Sequence, residues 1–124
     1  MASIAARAAC APITPSCPDD LALSRDQLVR EPLGGRTWRG TLTNRGDGPC
    51  AAVAVDIRFL DRTGRAVGGF SGRADRLAPG GGLELQSRLP AGATELRIQS
   101  LRWTAGGERF ERGPYGPWRP GERG

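Results

Sequence analysis

The side chains that could do chemistry are few, and their spacing limits what they can do. Asp19-Asp20 with Asp26 could offer oxygen ligands to a cation, but the spacing of an EF-hand loop is missing. Asp56 and Asp61 are the other carboxylates close in sequence. On an extended chain, side chains five residues apart face opposite sides and do not converge. The chain contains no His, which removes the commonest metal ligand and general base. Ser-His-Asp and Cys-His nucleophile systems cannot be built from it. All 18 basic residues are Arg, so a phosphate-binding loop that needs Lys is excluded as well. Gly80-Gly81-Gly82 reads as a turn rather than a phosphate cradle. No catalytic residue, metal or cofactor is expected, and the chain is not expected to be an enzyme.

Three thiols remain: Cys10, Cys17 and Cys50. No C-x-x-C is present, so the spacing of a zinc ribbon is absent. Suppose Leu21–Glu31 and Arg36–Asn44 form an antiparallel hairpin around Leu33-Gly34-Gly35. Facing positions then have numbers that add to about 68. Cys17 and Cys50 add to 67, which would set them side by side at the far end of that hairpin, within disulfide reach. A Cys17–Cys50 bond implies an oxidising, extracytoplasmic compartment. The alternative is two unrelated thiols on separate loops.

The C-terminal stretch offers a different chemistry. Phe110, Tyr115 and Trp118 are interleaved with Arg109, Arg112, Arg119 and Arg123. Aromatics among arginines can stack on single-stranded nucleic acid or dock on a protein. Glu108, Glu111 and Glu122 leave this stretch with a net charge of only about +1, less than salt-sensitive nucleic-acid binding needs. A featureless linker is the first reading of this stretch; of the functional ones, a peptide-like arm that adds to a protein partner is favoured over basic nucleic-acid binding. Arg39, Arg58 and Arg97 would serve nucleic-acid binding from outward strand faces.

The elements that must hold these groups read as strands. Trp38, Gly40, Leu42 and Asn44 alternate with Arg39, Thr41 and Thr43, and Val53, Val55, Ile57 and Phe59 alternate with Ala54, Asp56 and Arg58. Gly40 falls on the inward face, where a missing side chain lets a large neighbour such as Trp38 or Phe59 lie over it. Leu21–Glu31 is read as a strand with an irregularity near Arg25-Asp26, because Ser24 and Arg25 break a helical stripe. Asp61-Arg62-Thr63-Gly64 fits a type I turn followed by a left-handed Gly. Arg65–Arg73 continues as a weaker strand with a bulge beside Gly68-Gly69. Leu83, Leu85 and Ser87 give a short strand. Leu96 and Ile98 begin a last strand that Leu101 and Trp103 finish on the other parity, which requires a bulge or twist. Strands recurring every 8–15 residues or so, with turns between, form the pattern of a sandwich or barrel.

Composition sets the frame. The 124 residues make one domain by length, and 19 Gly and 10 Pro crowd toward the C-terminus. Residues 1–20 read as an irregular lead-in, 21–104 as the β-domain and 105–124 as a flexible tail unable to bury enough to order itself. The formal charge is +5, but Arg and acids alternate without blocks, which suits a GC-rich coding bias better than a binding tail. Arg45-Gly46-Asp47 resembles an integrin ligand, a triplet common by chance in Arg- and Gly-rich chains. No stretch approaches the roughly 18 apolar residues of a membrane span. Met1–Ala11 looks like a fragment of a targeting segment. It is open to three readings: an uncleaved N-terminus, a start assigned too far downstream, or a degenerate lipobox at Ala8-Ala9-Cys10.

These residues together resemble the bacterial FxLYD-type immunoglobulin-like domains. The resemblance rests on Gly40, Asn44, Asp47-Gly48, Val53, Val55, Phe59-Leu60-Asp61, Gly64, Leu77 and Pro79-Gly80, and covers about residues 36–88. The family's Tyr is absent, with Leu60 in its place. The resemblance implies a small antiparallel immunoglobulin-like β-sandwich of six to seven strands. It also implies an extracytoplasmic module, periplasmic or secreted, without catalytic residues. The expectation is therefore an all-β structural or interaction module of the bacterial envelope, binding a protein partner.

Overall fold

The alternating segments form the strands that their periodicity predicts. The computed structural model describes residues 21–121. It contains β1 (Leu21–Arg30), β2 (Arg36–Asn44), β3 (Cys50–Leu60), β4 (Ala66–Leu77), β5 (Gly82–Arg88), β6 (Glu95–Ala105), β7 (Glu108–Arg112) and β8 (Tyr115–Trp118). Two antiparallel sheets result. One has the order β1-β2-β5; the other runs β4-β3-β6-β7, with β8 also paired to β6. No helix of the described residues is long and apolar enough to cross a membrane.

Both sheets contribute to a single core. Val53, Val55, Ile57 and Phe59 on β3 are at most 2% exposed, and Trp38, Leu42, Leu96, Leu101 and Trp103 join them. The period of two along β3 is what makes this possible, since every second side chain must face the same way. Phe70 lies 6.0 Å from Phe59 and 6.1 Å from Trp38, ring centre to ring centre.

Of the register shifts in the sheets, three coincide with irregularities in the sequence pattern. On β6, Ile98 faces Ile57 and Ser100 faces Asp56, so Gln99 is the extra residue. That single insertion moves the buried set from Leu96 and Ile98 to Leu101 and Trp103. On β4, Val67 is extra, directly beside Gly68-Gly69. On β1, Ser24 is extra, one residue before the expected place. Its hydroxyl lies 3.2 Å from the Thr41 carbonyl and 2.7 Å from Thr43 Oγ1.

The β1–β2 register differs from expectation. Arg30 faces Arg36 and Leu28 faces Trp38, so facing numbers add to 66 rather than about 68. The turn is centred on Leu33, with Glu31 N donating to Gly35 O and Gly34 N to Glu31 O. This hairpin also stops at Asn44. Cys50 opens β3 in the other sheet, where it faces Leu77. The register that set Cys17 beside Cys50 therefore does not extend to Cys50, and Cys17 lies outside the described residues.

Asn44 manages the crossing between sheets. It is fully buried. Its side-chain amide donates to Gly48 O at 2.8 Å and to Leu77 O at 3.0 Å, and its Oδ1 accepts from Gly46 N at 2.9 Å. Its own N–H donates to Gly81 O, and its carbonyl accepts from Gly80 N. Every polar group of the residue is thus used, and the Arg45–Pro49 loop is held against the end of β4.

The β3–β4 turn forms as expected. Gly64 adopts φ 87° and donates to Asp61 O. Asp61 Oδ1 accepts from Thr63 Oγ1, Thr63 N and Arg65 N. These bonds, the Thr63 hydroxyl foremost, hold the Asp61 carboxyl below its ordinary range. A depressed folded-state pKa contributes stability that is present above the unfolded value and lost as pH falls through the folded one. Side-chain NMR titration should show Asp61 titrating below an ordinary Asp. Thr63→Ala should move its midpoint upward; an unmoved midpoint would remove Thr63 as the cause.

The flexible tail expected from residue 105 onward is not what the chain forms. Residues 108–112 and 115–118 are strands that lengthen one edge of the larger sheet, which raises the count to eight. Phe110 faces Trp103 in the β6–β7 register, and their rings stack with centres 5.4 Å apart. Packing on an existing strand supplies the burial that this segment could not supply for itself.

Candidate functional site

The acids of interest do not meet. Asp26, Asp56 and Asp61 lie on β1, β3 and the β3–β4 turn. Asp56 accepts from Arg58 at 3.1 Å on the outer face of β3, while Asp61 is spent on its turn. Among the described residues no group of three His, Cys, Asp or Glu is placed to hold a metal ion. Asp19 and Asp20 lie outside the described residues.

Asp26 has a structural position that its sequence context hid. It is 2% exposed and points inward from β1, an edge strand. Its carboxyl accepts from the indole N–H of Trp38, from that of Trp118 at 3.0 Å and from Gly121 N at 2.9 Å. Two of these donors, Trp118 on β8 and Gly121 just beyond it, come from the end of the described residues. The carboxyl therefore ties β1 of one sheet to the segment following β8 of the other and closes that side of the molecule.

This arrangement decides the fate of the aromatic arm. Trp118 is buried, Phe110 is half-buried on Trp103, and Tyr115 is 39% exposed. Arg112 sits 5.8 Å from the Phe110 ring centre. Phe110 and Trp118 are thus packing residues, and Tyr115 is the one of the three that offers surface to a partner. Sequence reading missed the inward acid on β1, the one signal that a distant indole would be needed there.

The surface chemistry lies on the outer sheet faces. On β1-β2-β5, Gln27, Arg39 and Gln86 form one cross-strand row, and Arg25, Thr41 and Glu84 form the next. Together they line a depression of about 450 Å³. Among the described residues, the side chains of Arg25, Gln27, Arg39, Glu84 and Gln86 have no hydrogen-bond or ion-pair partner. On the larger sheet, Arg58 faces Arg97 directly, and Ala54, Arg102 and Glu111 share a row. Both faces mix charges of each sign.

The fold thus defines an all-β protein of two antiparallel sheets around a shared core. It is similar to several solved structures. The putative ApaA protein from Bordetella pertussis aligns over 85% of this chain and 96% of its own, with 20% identity and a TM-score of 0.61. IrmA from Escherichia coli aligns over 75% of this chain and 84% of its own, with 10% identity and a TM-score of 0.52. At such identities the likeness is one of fold. No protein-family model and no curated protein sequence matches the chain.

Proposed function

We propose that this chain is a non-catalytic, immunoglobulin-like interaction module that binds a protein partner through the outer face of β1-β2-β5. The observation that carries the reading is the depression over Thr41. Its walls hold donors and acceptors side by side: the guanidinium groups of Arg25 and Arg39, the amides of Gln27 and Gln86 and the carboxylate of Glu84. A protein surface, which presents both signs and both hydrogen-bonding roles, complements such a face better than a uniformly charged phosphate backbone does. The resemblance to FxLYD-type domains adds an extracytoplasmic setting. A second reading, nucleic-acid binding, draws on the facing Arg58 and Arg97, whose like charges a phosphate could bridge.

The test compares surface variants that leave the core alone. Arg39→Glu should reduce retention of a co-purifying partner at least about fivefold, a typical loss for an interfacial arginine. Arg58→Glu on the other face should not. Equal retention by both variants would remove the β1-β2-β5 face from the account. A gel shift that weakens steeply between two salt concentrations would favour nucleic acid instead. Deleting residues 105–124 would be uninformative, because it removes β7, β8 and two of the donors to Asp26.

A further inference from the structure

We infer that the outer edge of β4 pairs with β4 of a second copy of this chain, in an antiparallel arrangement about a two-fold axis at Ala74. The inference is independent of the partner-binding face proposed above.

Exposed sheet edges invite strand addition unless something blunts them. The other edges here are blunted. β1 carries the inward Asp26 and the Ser24 bulge, and the segment ending at Gly121 lies against Leu28. The β7–β8 edge is broken at Pro114, and β8 contains Pro117. β5 is a short strand of seven residues with Glu84 and Arg88. β4 differs from all of these. Among the described residues it is the longest strand, with 12 residues, and pairs only with β3. Its stretch Ala66–Gly72 contains neither a charge nor a proline. Its inward residues Phe70 and Ala74 are only half-buried, whereas their β3 counterparts Ile57 and Val53 are fully enclosed. The core is therefore least covered along this edge.

Arg73, Asp75 and Arg76 follow in the strand, and the first two specify the occupant. Arg73 and Asp75 both point outward and are exposed, and neither has an ion-pair partner among the described residues. In a two-fold antiparallel pairing with Ala74 on the axis, Arg73 lies opposite the second copy's Asp75, and the pair occurs twice. Moving the axis by one residue sets Arg73 or Asp75 against its own copy, which opposes like charges. Setting the axis between residues matches outward with inward side chains, which the pleat forbids in a continuous sheet. The strand is thus self-complementary in one register, and pairing of Ser71–Leu77 there would join two larger sheets into one and cover Ala74.

Analytical ultracentrifugation across a concentration series tests this on the full chain. The wild type should dimerise reversibly. Arg73→Asp should weaken the dimer about tenfold, because two facing pairs turn repulsive together. Asp75→Arg should do the same, and the double variant Arg73→Asp/Asp75→Arg should restore wild-type affinity to within about threefold. A circular dichroism spectrum common to all four proteins ties the effect to association. Hydrogen exchange should show protection of Ser71–Leu77 that rises with protein concentration. A wild type monomeric at every concentration would overturn the inference and leave the β4 edge to a strand from another protein. A dimer indifferent to the charge reversals would overturn it too.

Discussion

Replacing Asp26 with alanine is expected to destabilise the fold by about 3–5 kcal/mol, a large share of the stability of a domain this size. In a buried setting the carboxyl accepts, among other contacts, hydrogen bonds from two indoles and from Gly121 N. Its removal leaves those donors without the acceptor that their burial requires. An unsatisfied buried donor costs about 1–3 kcal/mol, more than a made bond gains. Asp26→Asn should cost less, about 1–3 kcal/mol, because one oxygen remains while the new amide N–H meets a donor. Urea unfolding followed by tryptophan fluorescence measures both, since Trp38 and Trp118 flank the site. The loss should also be local first. Amides of β8 and Gly121 should exchange faster in Asp26→Asn than those of β3, because their tie to β1 is weakened. A shift under about 1 kcal/mol for Asp26→Ala would mean that this link contributes little to stability.

The same residue shows where sequence reasoning reaches and where it stops. Strands β2, β3, β5 and β6 were legible from their own period-two patterns, β1 and β4 from broken helical spacing and flanking turns, and the bulge at Gln99 because the pattern changes parity across it. The turn at Asp61–Gly64 was legible because its chemistry is local. β7 and β8 were not. Their residues alternate weakly, and Gly and Pro dominate the composition around them. What holds β8 is an acceptor 92 residues away from Trp118, and no local window contains both partners; β7 is held by the stacking of Phe110 on Trp103. Asp26 was equally opaque, since an acid on an edge strand reads as solvated until an indole is placed beside it. The hairpin register was misjudged for a related reason. Gly34 and Gly35 both have positive φ, yet the bonds that close the turn place its centre at Leu33. The depression on β1-β2-β5 is assembled from three strands, and only Arg39 had been marked as a surface residue.

Gly40→Ala tests the packing that the sequence did disclose, and its expected cost is about 2–3 kcal/mol. A Cβ at this position would lie 2.5 and 2.6 Å from two carbons of the Trp38 six-membered ring and 3.1 Å from Leu23 Cδ1. Trp38 cannot step aside easily. It is fully buried, its indole N–H is held by Asp26, and its ring lies against Phe70. Gly72→Ala supplies the contrast. A Cβ there also collides, with Leu85 Cδ2, but that atom ends a flexible side chain and can rotate away. Its cost should stay near or below about 1 kcal/mol, with the loss of Gly entropy in the unfolded chain offsetting part of it. Equilibrium urea unfolding of both variants should rank Gly40→Ala well above Gly72→Ala. Equal costs would mean that the Trp38 ring yields as readily as Leu85 does. A double-mutant cycle with Trp38→Phe then isolates the contact. The smaller ring vacates the volume that the new methyl group needs, so Gly40→Ala should cost about 1–2 kcal/mol less in that background. Trp38→Phe also releases the bond to Asp26, but that loss is common to both arms of the cycle and cancels. What remains is the steric coupling between the empty position on β2 and the indole laid over it.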